Sequence, residues 1–297
     1  MNTNIGDRLS VFLDHAEDVL SRVEILLPRA PLPVDWAVTT AARWKRKGGL
    51  GVLLPVARPH TLAPERLIAI DEQKTRIDHN TRQFVEGHTA NNVLLTGAPG
   101  TGKSSLVKAM LQRYAQDGLR LIEVDKTDLV DLPEILTGIE SFAYRFIVFC
   151  DDLAFDAQEN GYRELKAVLD GSIVAPPENV LIYATSNRRH LMPTYFHENF
   201  SGDSDHEEIR PGEGKDEKVS LAERFGLWIS FYPFSEEDYL RAVMSWLHHY
   251  HVTVSDDDQE TFRLTALQWA RMRGAVSGRV AWQFARDYCG ARGSTKS

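Results

Sequence analysis

The stretch Asn92–Ser105, NVLLTGAPGTGKSS, restricts this chain more than any other. Val93, Leu94 and Leu95 form a short apolar run that suits a buried strand of a parallel sheet. Gly97-Ala98-Pro99-Gly100-Thr101-Gly102-Lys103-Ser104 then fits the spacing G-x-x-x-x-G-K-[ST], and a helix-like LVKAMLQRYAQ follows Ser105. Glycines let the backbone curl so that successive N–H groups converge on phosphate oxygens at the positive end of a helix. Lys103 offers a point charge to the terminal phosphates, and the Ser104 hydroxyl can ligate a magnesium ion. Strand, loop and helix in this order imply a site for a nucleoside triphosphate.

A second apolar run ends in charge. Phe146-Ile147-Val148-Phe149-Cys150 delivers Asp151-Asp152 at the carboxyl end of a strand, where open α/β sheets bind ligands. Asp151 is the expected magnesium ligand, and Asp152 the group that orients or deprotonates an attacking water. Leu119–Val124 and Val180–Ala184 read as further strands, and the latter runs into Thr185-Ser186-Asn187. A neutral polar group there can hydrogen-bond the water or the terminal phosphate, although Asn187 also suits a turn. Ile68 and Ile70, in an apolar strip before the phosphate loop, are candidates to wall a base, and hinge packing would use the same residues.

The flanks read differently. Leu9, Phe12, Leu13, Ala16, Val19, Leu20, Val23 and Leu27 recur at helical steps, predicting an amphipathic helix over residues 7–27. The cluster Arg43-Trp44-Lys45-Arg46-Lys47 could grip nucleic-acid phosphates. A solvated helix end with Trp44 packed on the next domain is the preferred reading. Residues 201–218 hold no large apolar residue except Ile209, so an exposed, mobile loop is expected. After the strand-like LWISFYPF, Ser235-Glu236-Glu237-Asp238 opens the first of three helices, Ser255–Asp258 the second and Ser277 the third. Arg279 lies in the first turn of the last helix, against the helix dipole, which marks it for a role beyond structure, with a surface ion pair as the alternative.

Composition narrows the class. The net charge of −8 argues against a globally basic nucleic-acid binder, though not against a local basic patch. Two cysteines, Cys150 and Cys289, cannot build a disulfide framework or a zinc module. No run approaches the roughly 18 apolar residues of a membrane span. The start, MNTNIGDRLS, lacks a secretory signature, so a cytoplasmic, non-membrane protein is expected.

Taken together, GAPGTGKSS, FIVFCDD, ATSN, ERFGL and SGR resemble the AAA+ ATPase superfamily over about residues 65–290. CDDL, IYATSNRRHL and RFGLWISFYPF resemble a bacterial AAA+ family of uncharacterised function. The resemblance implies an α/β core with a five-stranded parallel sheet (residues 65–234) and a C-terminal helical lid (235–297). A helical N-terminal extension (1–64) would precede them. It implies ATP and Mg2+ as ligands, Asn187 as a sensor, Arg224 as an arginine finger reaching a neighbouring subunit, and Arg279 as the lid sensor. A homo-oligomer acting on a protein partner is expected. Many members of the superfamily carry Asp-Glu where this chain has Asp151-Asp152, and a general-base role for the shorter acid needs a closer backbone or a water bridge. Replication initiators and helicase loaders also use Asp-Asp, which keeps an ATP-switched loader acting on DNA or a DNA enzyme as an alternative. A non-catalytic nucleotide-gated module is the other. A threading unfoldase is disfavoured, because Asp125–Leu129 stands where an aromatic-Gly pore motif would follow the second strand.

Overall fold

Along the central strands, neighbouring residues face opposite layers, and both layers are apolar. Leu94, Phe146, Val148, Ile182 and Ala184 pack into one core, whereas Val93, Leu95, Ile147, Phe149 and Tyr183 pack into the other. A strand buried on both faces reads as a continuous apolar run, which is why these segments show no polar alternation. The computed structural model describes residues 9–10, 12–13, 15–19, 33–47, 49–154, 160–171, 176–187 and 221–293. Strands β1 (Ala41–Lys47), β2 (Leu50–Pro55), β3 (Val93–Gly97), β4 (Leu119–Glu123), β5 (Arg145–Cys150), β6 (Val180–Ser186) and β7 (Leu227–Phe231) form one sheet. Their order is β2-β1-β4-β5-β6-β3-β7. All neighbours are parallel except the β1–β2 hairpin.

Helices α1 (Asp71–Val85) and α2 (Lys103–Tyr114) supply Ile77, Phe84, Leu106 and Met110 to one core. Helices α3 (Leu132–Ile139) and α4 (Asn160–Asp170) supply Leu132, Ile135 and Leu165 to the other. The outer edge of β7 does not stand open: Gln73 and Arg76 of α1 donate to the carbonyls of Ser230 and Trp228 at 2.9 and 3.0 Å. Helices α5 (Glu236–His249), α6 (Gln259–Met272) and α7 (Gly278–Gly293) form a separate bundle around Tyr239, Leu247, Phe262, Ala266 and Phe284. The start signal at Ser235 is a full capping box, in which Ser235 and Asp238 satisfy each other's backbone N–H groups.

Two expectations need correcting. The sheet has seven strands rather than five, because residues 41–55 add a hairpin beside β4. The cluster Arg43–Lys47 is therefore a strand and not a helix end, and the hairpin belongs to the sheet rather than to a helical extension ending at residue 64. The physical reason is that Ala42 and Trp44 are buried in the sheet, Arg43 and Lys45 alternate with them, Arg46 shares the face of Trp44, and all three cations find distant acids. Arg43 pairs with Glu123, Lys45 with Asp125, and Arg46 with Asp131. Trp44 Nε1 donates to the same Asp131 at 3.0 Å. The described residues between 9 and 19 are helical, as the periodicity predicts. The remainder of that predicted helix and the loop expected at 201–218 lie outside the described residues.

The hairpin carries a sharp steric test. A Cβ at Gly51 would sit 2.0 Å from Cζ2 of Trp44, whose ring lies across that backbone. Gly51→Ala is expected to displace Trp44 from Asp131 and lower stability by about 1–3 kcal/mol, read as a fall in thermal midpoint. An unchanged midpoint would show that the ring is free to move.

Candidate functional site

The loop between β3 and α2 owes its shape to glycine. Gly97, Gly100 and Gly102 have φ of 136°, 78° and 103°, and a Cβ on Gly97 would meet the Phe231 carbonyl at 2.0 Å. Thr101 Oγ1 donates to the Ala98 carbonyl at 2.8 Å, and the Leu106 amide closes the first turn of α2 on the Gly102 carbonyl. Lys103 rises from the first position of α2 and is 5% exposed. Its Nζ donates to the Gly97 and Ala98 carbonyls, both at 2.8 Å, and to Asn187 Oδ1 at 2.9 Å. Burial lowers the pKa of this ammonium; Asp151 and Asp152 oppose that, and Arg279 adds to it.

The ends of β5 and β6 supply the partners. Asp151 Oδ1 accepts from Ser104 Oγ at 2.5 Å and from Thr185 Oγ1 at 2.6 Å. Asn187 Nδ2 donates to Asp152 Oδ1 at 2.6 Å, so Asn187 bridges Lys103 and Asp152. Asp152 stands in the left-handed region with φ 55°, one of three described non-glycine residues to do so. A hydroxyl and a carboxylate side by side form a hard oxygen donor set. Such a pair fits Mg2+, which takes few protein ligands and completes its shell from phosphate and water.

The lid closes over this floor. The backbone N–H of Arg279 donates to the Gly100 carbonyl at 3.2 Å, and Gly278 lies so close to that carbonyl that a Cβ would stand 3.3 Å from it. Ser277 Oγ accepts from the Val280 amide, capping α7 as expected. Between lid and loop runs a cleft of about 800 Å³. Pro99–Ser105, Asp151, Asp152, Asn187, Ile68, Ile70 and Arg279 all line it. The two isoleucines divide: Ile70 is buried in the core with α1 and α2, while Ile68 packs on the lid cluster. Ala69 between them has φ 62°.

Arg224 is not among the cleft's lining residues. It follows the short turn after Leu221 and pairs with Asp170 at the end of α4. The sequence reading also missed one wall. Trp246, His249 and Tyr250 of the lid line the cleft mouth, and Arg66 Nη1 contacts His249 Nε2 at 3.0 Å across it. Burial depresses the His249 pKa, with Arg66 and His251 adding to the shift. Ala242, Trp246, His249 and Tyr250 recur at four-, three- and one-residue steps, a one-face spacing that could have marked this wall.

Comparison with known proteins follows the same lines. A family model described as "Protein of unknown function (DUF815)" matches residues 37–292. No curated protein matches the chain. Among solved structures it is similar to ORC1 of Aeropyrum pernix in complex with DNA, at 14% identity and a TM-score of 0.54, covering 79% of this chain and 63% of that one. The FIGL-1 AAA domain in complex with ADP gives 16% and 0.52, over 77% of this chain and 73% of that one. A point variant of Thermotoga maritima RuvB gives 16% and 0.50, over 75% and 63%. The chain thus spans less than two thirds of the RuvB and ORC1 chains. At these identities the likeness carries the fold, which is that of the AAA+ ATPases.

Proposed function

The chain belongs to the DUF815 family, and from its AAA+ fold and its cleft we propose that it is a magnesium-dependent ATPase. ATP binding and hydrolysis would change the shape of an oligomer that acts on a macromolecular partner. One observation carries the reading: Lys103 and Ser104 from the start of α2, Asp151 and Asp152 from the end of β5 and Asn187 from the end of β6 meet in one hydrogen-bonded cluster beneath the lid.

The curled N–H groups of Ala98 and of residues 100–103, with the Lys103 ammonium, bind the β- and γ-phosphates. Ser104 and Asp151 would hold magnesium, which, when bound, draws charge from the phosphate oxygens. Asp152 takes a proton from the attacking water as its oxygen bonds to the γ-phosphorus and the bond to the bridging oxygen breaks. Asn187, already in contact with Asp152, fixes where that water stands. Arg279 from the lid and Arg224 from a neighbouring copy meet the charge that builds on the transferred group. Ile68 and Ile70 wall the base.

A protein partner is favoured over DNA for a specific reason. Three of the four cations in the cluster that would have gripped phosphates, Arg43, Lys45 and Arg46 but not Lys47, are engaged by Glu123, Asp125 and Asp131. A DNA-directed loader would have to present cations beyond these three.

Asp152→Asn tests the reading. The variant is expected to bind ATP with near-normal affinity while turnover falls by about 10²–10⁴-fold, the usual worth of a positioned general base. Partners retained by this variant in ATP, and lost without it, would name the target. Normal turnover would remove the base role from Asp152 and leave Asn187, as the group that orients the water, the next residue to test. A wild-type chain that binds ATP without hydrolysing it would leave the nucleotide-gated module.

A further inference from the structure

The fold shows how an aspartate at position 152 comes within reach of the cluster: a threonine on the neighbouring strand holds its backbone. Thr185, in β6, is 2% exposed. Its Oγ1 donates to Asp151 Oδ1 at 2.6 Å and accepts from the Asp152 amide at 2.9 Å, while its carbonyl accepts from the Leu153 amide at 2.6 Å. One residue therefore holds three consecutive residues of the neighbouring strand's exit. The β5–β6 register runs from Phe146↔Val180 to Cys150↔Ala184, and the hydroxyl bridge takes over at the next position.

What it holds there is unusual. A left-handed φ is unfavourable for any residue with a Cβ and persists only where the surroundings fix it. At Asp152 the Thr185 hydroxyl fixes the amide, and Asn187 meets the carboxylate at 2.6 Å. The bend of the backbone, rather than the length of the side chain, brings this acid to Asn187. A hydroxyl has one donor and two acceptor sites. With the donor given to Asp151, a lone pair receives the Asp152 amide, so a single group sets both acids.

We propose that Thr185 is the positioning residue for both acids, orienting Asp151 toward the cation and Asp152 toward the water. The proposal rests on the hydrolytic reading above, and its test separates the two. The full chain would be assayed as wild type, Thr185→Val and Thr185→Ser for ATP turnover, for the magnesium concentration giving half-maximal rate, and for affinity toward a fluorescent ATP analogue.

Valine keeps the shape and removes the hydroxyl; serine keeps the hydroxyl. In Thr185→Val, kcat is expected to fall about 10²-fold, as for a displacement of about 1 Å at a reacting group. The magnesium requirement should rise on the order of tenfold, as when the partner of a metal ligand is lost. Nucleotide affinity without magnesium should stay within about threefold of wild type, since the phosphate loop is untouched. Thr185→Ser should match wild type in all three measurements. In the Thr185→Val background, Asp152→Glu should recover turnover about tenfold, because its longer side chain does not need the bend.

Wild-type kcat and magnesium requirement in Thr185→Val would overturn the proposal and leave the ATPase reading standing. Equal losses in the valine and serine variants, with lowered melting temperatures, would assign Thr185 to strand packing and overturn it too. If the wild-type chain does not hydrolyse ATP, the ATPase reading falls. The magnesium dependence of analogue binding then decides the Asp151 half: weakened in Thr185→Val supports it, and unchanged overturns it.

Discussion

Lys103→Ala is expected to abolish ATP binding at ordinary nucleotide concentrations while leaving the fold intact. Lys103 Nζ is buried, rests on the Gly97 and Ala98 carbonyls and Asn187, and feels both Asp151 and Asp152. Without the ammonium, those two carboxylates face an incoming triphosphate with one fewer cation to offset them. Removing one partner of a buried, hydrogen-bonded charge pair costs about 2–5 kcal/mol. At 1.4 kcal/mol per factor of ten, affinity falls by roughly 30-fold to several thousandfold. Titration with a fluorescent ATP analogue, beside a thermal melt to confirm folding, reads the result directly. Near-normal affinity would refute the assignment of the phosphate loop.

Arg224→Ala should show the opposite profile, with binding near normal and turnover strongly reduced. An arginine finger is worth about 10³–10⁵ in rate because it meets charge that develops only during transfer. Arg224 does not line its own chain's cleft, and Asp170 engages it some distance from the phosphate loop along the chain. The proposed finger role therefore requires Arg224 to enter a neighbour's site. Mixing Arg224→Ala with Lys103→Ala should therefore restore part of the activity, since one chain keeps the phosphate loop and the other keeps the finger. The rival account makes Arg224–Asp170 a structural ion pair. Arg224→Ala would then hydrolyse ATP almost as wild type, Asp170→Ala would lower the melting temperature equally, and mixing would restore nothing.

The phosphate loop and the two strand ends were legible because their information is local. Apolar runs, glycines at fixed offsets and terminal carboxylates occupy a few adjacent residues, and the structure places Lys103, Asp151, Asp152 and Asn187 together. The lid was legible for the same reason, down to the Ser235–Asp238 capping box. The hairpin was not. Arg43, Lys45 and Arg46 read as a solvated charge run, because the acids that hold them in a strand lie 80 to 85 residues away. Trp44 gave no better clue, since its partner Asp131 is 87 residues distant. The bend at Asp152 was equally hidden. Sequence shows that the acid is short, and only the neighbouring strand shows which hydroxyl holds its backbone.

Ile68 and Ile70, two residues apart, are anchored in different bodies, one in the lid and one in the sheet core. If both wall the base as proposed, nucleotide occupancy and lid position become two readings of a single equilibrium. Whatever displaced the lid would then alter affinity at the base, and by thermodynamic reciprocity the nucleotide would alter affinity for that agent by the same factor. A coupling of about 1–3 kcal/mol, usual for such linkage, corresponds to roughly 5–150-fold in either direction. A partner gripping α5 or α7 would thus be felt as a change in nucleotide dissociation constant before any phosphate is cleaved.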